Sequence, residues 1–242
     1  MNKSILANSV TARRFPVATV LEHPALRLSG GRQTAGRSEL PLLGVLQPGE
    51  VIGLSGAQAQ QQRLVAAWLA CMASADSGVL WLTDSDPVAL RTDCLAIDSG
   101  QSRNYVQALL GAMKYGLANG DALSRLAVAE NLFVFRGQEV GAAALKRIGS
   151  GFHHQPLRLI IIESLPAGLD LDSLRRLATR LGAAVLWLGA DQPVQRRLQL
   201  KRDHRIPPRG QRQLLECGLL EGSATTSLRL RVDCAQARVD RV

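Results

Sequence analysis

Two apolar runs without alternation restrict the fold more than any other feature of this chain. Leu159-Ile160-Ile161-Ile162 and Ala184-Val185-Leu186-Trp187-Leu188 carry large apolar side chains on successive residues. A strand points successive side chains to opposite faces, so runs of this kind need cover on both sides. That is the condition of a strand inside a parallel sheet sandwiched between helices. Further short apolar runs alternate with stretches of helical spacing. Strands are expected at 51–55, 78–83, 95–98, 132–135, 157–163 and 183–189, and helices at 61–73, 105–117, 122–130, 142–148 and 171–181. The class is therefore α/β, with a mainly parallel sheet flanked by helices. Three more β-like segments, 214–220, 228–232 and 238–242, add a C-terminal β extension.

A chain of 242 residues that is 46% hydrophobic and 20% charged can build a sizeable core, which excludes a disordered nucleic-acid tail. No apolar run approaches the roughly 20 residues that cross a bilayer, and Arg13 and Arg14 interrupt the place of a secretory signal. A soluble, cytoplasmic protein that does not engage membranes is expected. Cys71, Cys94, Cys217 and Cys234 are widely separated, and His23, His153, His154 and His204 show no ligand spacing. Buried thiols are expected, and no metal site. Residues 1–40 mix arginine, glycine and proline without a period and read as an arm. Residues 41–242 then form one domain that includes a basic loop at 193–212. Asp170 and Asp172 stand where they would start the helix through Arg175.

Leu46-Gln47-Pro48-Gly49-Glu50-Val51-Ile52-Gly53-Leu54-Ser55-Gly56 reads as a turn, a strand and a glycine at the strand's end, ahead of a helix. A phosphate-binding loop occupies such a place, using backbone amides, a lysine and a Ser/Thr hydroxyl that holds Mg²⁺. Counting from Gly56 puts Gln61 at the second glycine, Gln62 at the lysine and Arg63 at the hydroxyl. All three chemical requirements are missing together.

The order of these features resembles the RecA-like recombinase superfamily core from Leu42 onward. A strand running into Asp84-Ser85-Asp86, a second ending Ile162-Glu163-Ser164, and Leu188-Gly189-Ala190-Asp191-Gln192 opening a basic stretch follow in that family's sequence of motifs. The resemblance implies a RecA-like P-loop NTPase fold. Asp86 would stand for the family's water-activating glutamate, one methylene shorter, and Glu163 for its Mg²⁺-linked aspartate, one methylene longer. With Gln62 and Arg63 in place of the lysine and the hydroxyl as well, a protein that does not hydrolyse ATP is implied, with ATP as the only cofactor in question. Within the superfamily the chain looks most like the ImuA/SulA-type accessory proteins. That implies a DNA-binding role in repair, recombination or SOS-response translesion synthesis, beside a recombinase or translesion polymerase subunit. An active or regulated ATPase of the replication or plasmid-helicase kind, and a scaffold or inhibitor docking an acidic protein, remain as alternatives.

After Gln192, residues 193–212 hold Arg196, Arg197, Lys201, Arg202, Arg205, Arg209 and Arg212 against Asp203 alone, in a chain of net charge +9. Such a density attracts nucleic-acid phosphate, and the absence of aromatics from the stretch predicts little sequence preference. In the family resemblance this is the place of a DNA-binding loop. In the arm, Phe15-Pro16-Val17-Ala18 fits the F-x-x-A pattern by which such proteins anchor into a neighbour. Phe15 and Ala18 are therefore the expected partner-binding pair, and homo-oligomers an expected outcome.

Overall fold

The computed structural model of the protein describes residues 39–115, 126–137, 140, 142–151, 156–165, 168–189, 194, 196–203, 212–221 and 224–242. Its first five strands, all parallel, are β1 (Val51–Gly56), β2 (Gly78–Thr83), β3 (Leu132–Arg136), β4 (Leu157–Ile162) and β5 (Ala184–Leu188). They are followed by β6 (Arg196–Arg202), β7 (Arg212–Glu221), β8 (Ala224–Asp233) and β9 (Arg238–Arg241). Among the described residues these form one nine-stranded sheet in the order β3-β2-β4-β5-β1-β6-β7-β8-β9.

The unbroken apolar runs lie in interior strands, and every residue of β2, β4 and β5 is buried. Helices α1 (Ala59–Ser74), α2 (Pro87–Ser99), α3 (Arg103–Lys114) and α4 (Ala127–Asn131) cover one face, and α5 (Ala142–Gly151) and α6 (Leu171–Leu181) the other. Odd and even residues of one strand consequently enter different clusters: Leu159 and Ile161 pack with Leu64 and Leu69, Ile160 and Ile162 with Leu145 and Leu174. No described helix is long and apolar enough to cross a membrane.

Helix α6 spans the expected residues. The Asp170 carboxylate accepts from the Ser173 amide at 2.6 Å, and Gly182 closes the other end in the left-handed conformation (φ +72°). Hydrogen bonds from Ser173 hold the Asp170 carboxyl below its usual range.

Two expectations are corrected. Residues 95–98 are not a strand but the last turns of α2. Asp86 caps this helix and Pro87 starts it, Leu90 and Cys94 are buried at i, i+4 spacing, and Gly100 ends it with φ +67°. Four apolar-rich residues in isolation look the same in a strand and a helix, and the cap ahead of the proline decides between them. The second correction concerns the basic loop at 193–212. Its residues 196–202 are strand β6, parallel to β1 and antiparallel to β7, and Arg212 already belongs to β7. Leu198 and Leu200 are buried while Lys201 and Arg202 are exposed, so charge had masked a half-buried strand.

β6 to β9 are covered on one side. Leu198, Leu200, Leu215, Cys217, Leu219, Leu230, Val232 and Val239 all join the cluster under α1 to α3, and none of the described residues of these strands joins the cluster under α5 and α6. The carboxyl ends of β1, β2 and β4 form the edge at which Gly56, Gln62, Arg63, Glu163 and Ser164 of the expected nucleotide residues meet.

Candidate functional site at the β1–α1 turn

β1 ends in two consecutive left-handed residues, Gly56 (φ +79°) and Ala57 (φ +54°), and α1 begins at Ala59 after Gln58. A Cβ at Gly56 would collide with the carbonyl oxygen of Leu200 in the paired strand β6. Glycine is thus required here by backbone packing, whatever the turn binds. The three residues at the places of the phosphate-loop glycine, lysine and hydroxyl each have a structural engagement. Gln61 is buried: its Oε1 accepts from the Gln58 amide at 3.0 Å and its Nε2 donates to Gln213 Oε1 at 2.6 Å. This joins the start of α1 to β7. Gln62 folds back, its Nε2 donating to the Gly56 carbonyl at 2.8 Å. Arg63 Nε donates to Glu163 Oε1 at 3.3 Å.

Glu163 is the centre of the arrangement. Its side chain is 7% exposed against 38% for Arg63, and besides the guanidinium it accepts from Thr83 Oγ1 at 2.9 Å and from the Asp84 amide at 3.1 Å. Ser164 Oγ donates to Asp84 Oδ1 at 2.8 Å, with Gly137 close behind that oxygen. Asp86 does not join them, because its carboxylate caps α2 by accepting from the Val88 amide at 3.1 Å. Gly56, Gln62, Arg63, Glu163 and Ser164 are therefore brought together, while Asp86 and Gln61 are committed to a helix start and to β7. Thr83 and Gln213 were not singled out from sequence. Thr83 carried a signal as the last residue of a strand at the carboxyl edge, whereas nothing local marks Gln213, which lies 152 residues from its partner.

These residues do not fit a Mg²⁺-bound nucleotide. Such a ligand needs a lysine cation for its terminal phosphates and a hydroxyl for the metal. Here a neutral amide stands at the first position and is engaged on the Gly56 carbonyl. A guanidinium stands at the second, and its charge is placed on the one nearly buried carboxylate of the edge. The positive charge that a metal would bring to Glu163 is already supplied by the protein.

The expected DNA-binding residues separate into groups. Arg196 is committed to the core: Nη1 lies 2.7 Å from Glu50 Oε1, with side-chain exposures of 14% and 9%, and Nη2 donates to the Leu43 carbonyl at 2.7 Å. Arg212 Nε lies 2.7 Å from Asp233 Oδ2. Arg197 is half-buried, and Lys201 and Arg202 are exposed. Gln192, Arg205 and Arg209 lie outside the described residues, as do Phe15 and Ala18, the greater part of the 1–40 arm, and the His153-His154 pair.

No protein-family model and no curated protein matches the chain. Solved structures do. One is an ATPase domain, 12% identical, with 81% of this chain and 86% of that chain covered and a TM-score of 0.54. Another shows a DnaB-like replicative helicase and its interactions with primase, 12% identical, covering 80% of this chain and 59% of that one at a TM-score of 0.52. The RadB recombinase is 14% identical over 86% and 98% of the two chains, with a TM-score of 0.45. At such identities a likeness establishes the fold alone. The chain has the fold of the RecA-like P-loop ATPases, a mainly parallel sheet flanked by helices and extended by antiparallel C-terminal strands.

Proposed function

We propose that the chain is a RecA-fold, DNA-binding accessory protein that does not turn over ATP. The observation that carries this reading is the Arg63–Glu163 pair, in which the carboxylate at the Mg²⁺-linked position is neutralised by a side chain at the position of the metal-binding hydroxyl. Gln62 on the Gly56 carbonyl and Asp86 on the α2 amide support it, since each is already hydrogen-bonded to the backbone. DNA as partner rests on the basic residues of β6 and of the connection after it. A setting in damage-induced mutagenesis, with a recombinase or translesion polymerase subunit as protein partner and Phe15 and Ala18 as anchor, rests on the motif resemblance.

The test is phosphate release from ATP with and without single-stranded DNA. The expected rate equals that of buffer; DNA-stimulated turnover abolished by Glu163→Gln overturns the proposal. The fold likeness to an ATPase domain and a helicase favours a second reading, an active ATPase with an altered loop. The same assay separates the two. In the triple variant Gln61→Gly, Gln62→Lys, Arg63→Thr, nucleotide binding measured by a fluorescent ATP analogue is expected to rise, with hydrolysis still absent because Asp86 remains a helix cap.

A further inference from the structure

β6 to β9 present one face to solvent, and their register fixes what stands on it. Strand alternation puts Arg197 and Lys201 of β6, Arg212 and Glu216 of β7, Arg229, Arg231 and Asp233 of β8, and Arg238 and Asp240 of β9 on this side, opposite the buried Leu198, Leu215, Leu230 and Val239. Two arginines are neutralised in place, Arg212 by Asp233 and Arg238 by Asp240 at 2.9 Å. Arg197 lies at the far end of β6, across from Leu220, and the half-buried Asp203 follows the end of that strand. Lys201, Arg229 and Arg231 remain, all exposed, and among the described residues none has an ion pair. They border two carboxylates: Glu216 stands in register with both Lys201 and Arg229, and Asp240, already held by Arg238, stands in register with Arg231. Arg229 and Arg231 are about 7 Å apart along their strand, and Lys201 is about 10 Å away across two strands. Like charges this close on a sheet face repel, and a bound polyanion relieves the repulsion.

We propose that this open sheet face binds the phosphate backbone of a nucleic acid through Lys201, Arg229 and Arg231. The proposal deepens the DNA-binding reading and rests on it. The centre of the face is low, with Gln199, Gly218 and Ser227 in one cross-strand row, so a backbone can lie close to the sheet. A protein partner would need a large apolar or aromatic anchor; among the described residues Val242 is the one large exposed apolar residue that borders this face, and Leu214 and Leu220 on it are half-buried. The chain's own segment 1–38 is an unsuitable occupant, because it carries Lys3, Arg13, Arg14, Arg27, Arg32 and Arg37 against Glu22 alone. A span of about 10 Å corresponds to roughly three phosphates of one strand.

Fluorescence anisotropy of labelled single-stranded and duplex oligonucleotides across a salt series tests this, using the full chain, the variant Lys201→Ala, Arg229→Ala, Arg231→Ala, and the variant Arg205→Ala, Arg209→Ala. Removing three phosphate contacts is expected to flatten the slope of log affinity against log salt by about 2 on single strands and to weaken binding more than tenfold at low salt. The melting temperature of the triple variant is expected to stay unchanged, and Arg229→Lys, Arg231→Lys to keep the wild-type slope. A triple variant that binds with wild-type affinity and slope overturns the face as a site while leaving DNA binding intact. Polyglutamate displacing the oligonucleotide at equal charge concentration overturns nucleic acid as the occupant. A wild-type chain that binds no DNA even at low salt overturns the DNA-binding reading itself.

Discussion

Glu163 accepts hydrogen bonds from a helix, a strand end and a loop amide, so one carboxylate ties α1 to the carboxyl ends of β2 and β4. Replacing it by alanine leaves Thr83 and the Asp84 amide without an acceptor and is expected to cost about 1–2 kcal/mol, read as a lower urea midpoint at unchanged m-value. Glu163→Gln is expected to cost less, because the lost charge partner, Arg63, is more than a third exposed and screened by solvent. A second carboxylate makes a pH prediction. Burial alone would raise Asp233, but the hydrogen bond from Arg212 and those from the Gln236 and Ala235 amides outweigh it and hold the carboxyl below its usual range. Its stabilising contribution is complete above the unfolded value, near 3.9, and is lost as pH falls through the lower folded value. Asp233→Asn is expected to lower the melting temperature at neutral pH and to reduce the drop as pH falls below about 4, measured by circular dichroism. From sequence, the positions of Gly56, Gln61, Gln62, Arg63, Glu163 and Ser164 along the edge were legible, because strand ends and spacing carry them. Their engagements were not, since Gln61–Gln213 and Arg63–Glu163 depend on which strands become neighbours.

Among the elements, β6 sets the limits of reading a chain by composition. Seven basic residues in the stretch 193–212 suggested a solvated loop, yet Leu198 and Leu200 alternate with Arg197, Gln199 and Lys201 in the period of a half-buried strand. Its first residue is structural. Arg196→Ala strands the Glu50 carboxylate in a site where it is 9% exposed and is expected to cost about 3 kcal/mol in urea denaturation. The double variant Arg196→Met, Glu50→Leu, which removes both charges, is expected to recover much of that loss. The parallel strands and α6 were legible because continuous apolar runs and a cap–glycine pair are local signals. α2 was missed in part because its evidence is spread over 14 residues, from the Asp86 cap to the Ser99 end.

In the molecule as a whole, all four thiols lie inside the packed layers, with Cys217 pushed up to about 12 by burial. Cys71 is raised by its contact with Cys94 and by burial, and Cys234 by burial. A thiol reagent at neutral pH is therefore expected to react with the folded protein only at the rate of opening, and with four thiols at once in denaturant. The strand order carries a consequence for synthesis. β1 is sealed on one side by β5 and on the other by β6, and both leave the ribosome long after it. Roughly 130 residues separate β1 from β5, so at about 5–20 residues per second the nascent strand waits on the order of 6–25 seconds with both hydrogen-bonding edges unpaired. Neither edge can be closed by local hairpin formation, because both partners are parallel. The centre of the sheet thus closes only once β5 and β6 have been made, with only the C-terminal strands β7 to β9 still to follow, and an N-terminal fragment ending before β5 is expected to be held by chaperones or to aggregate rather than to fold.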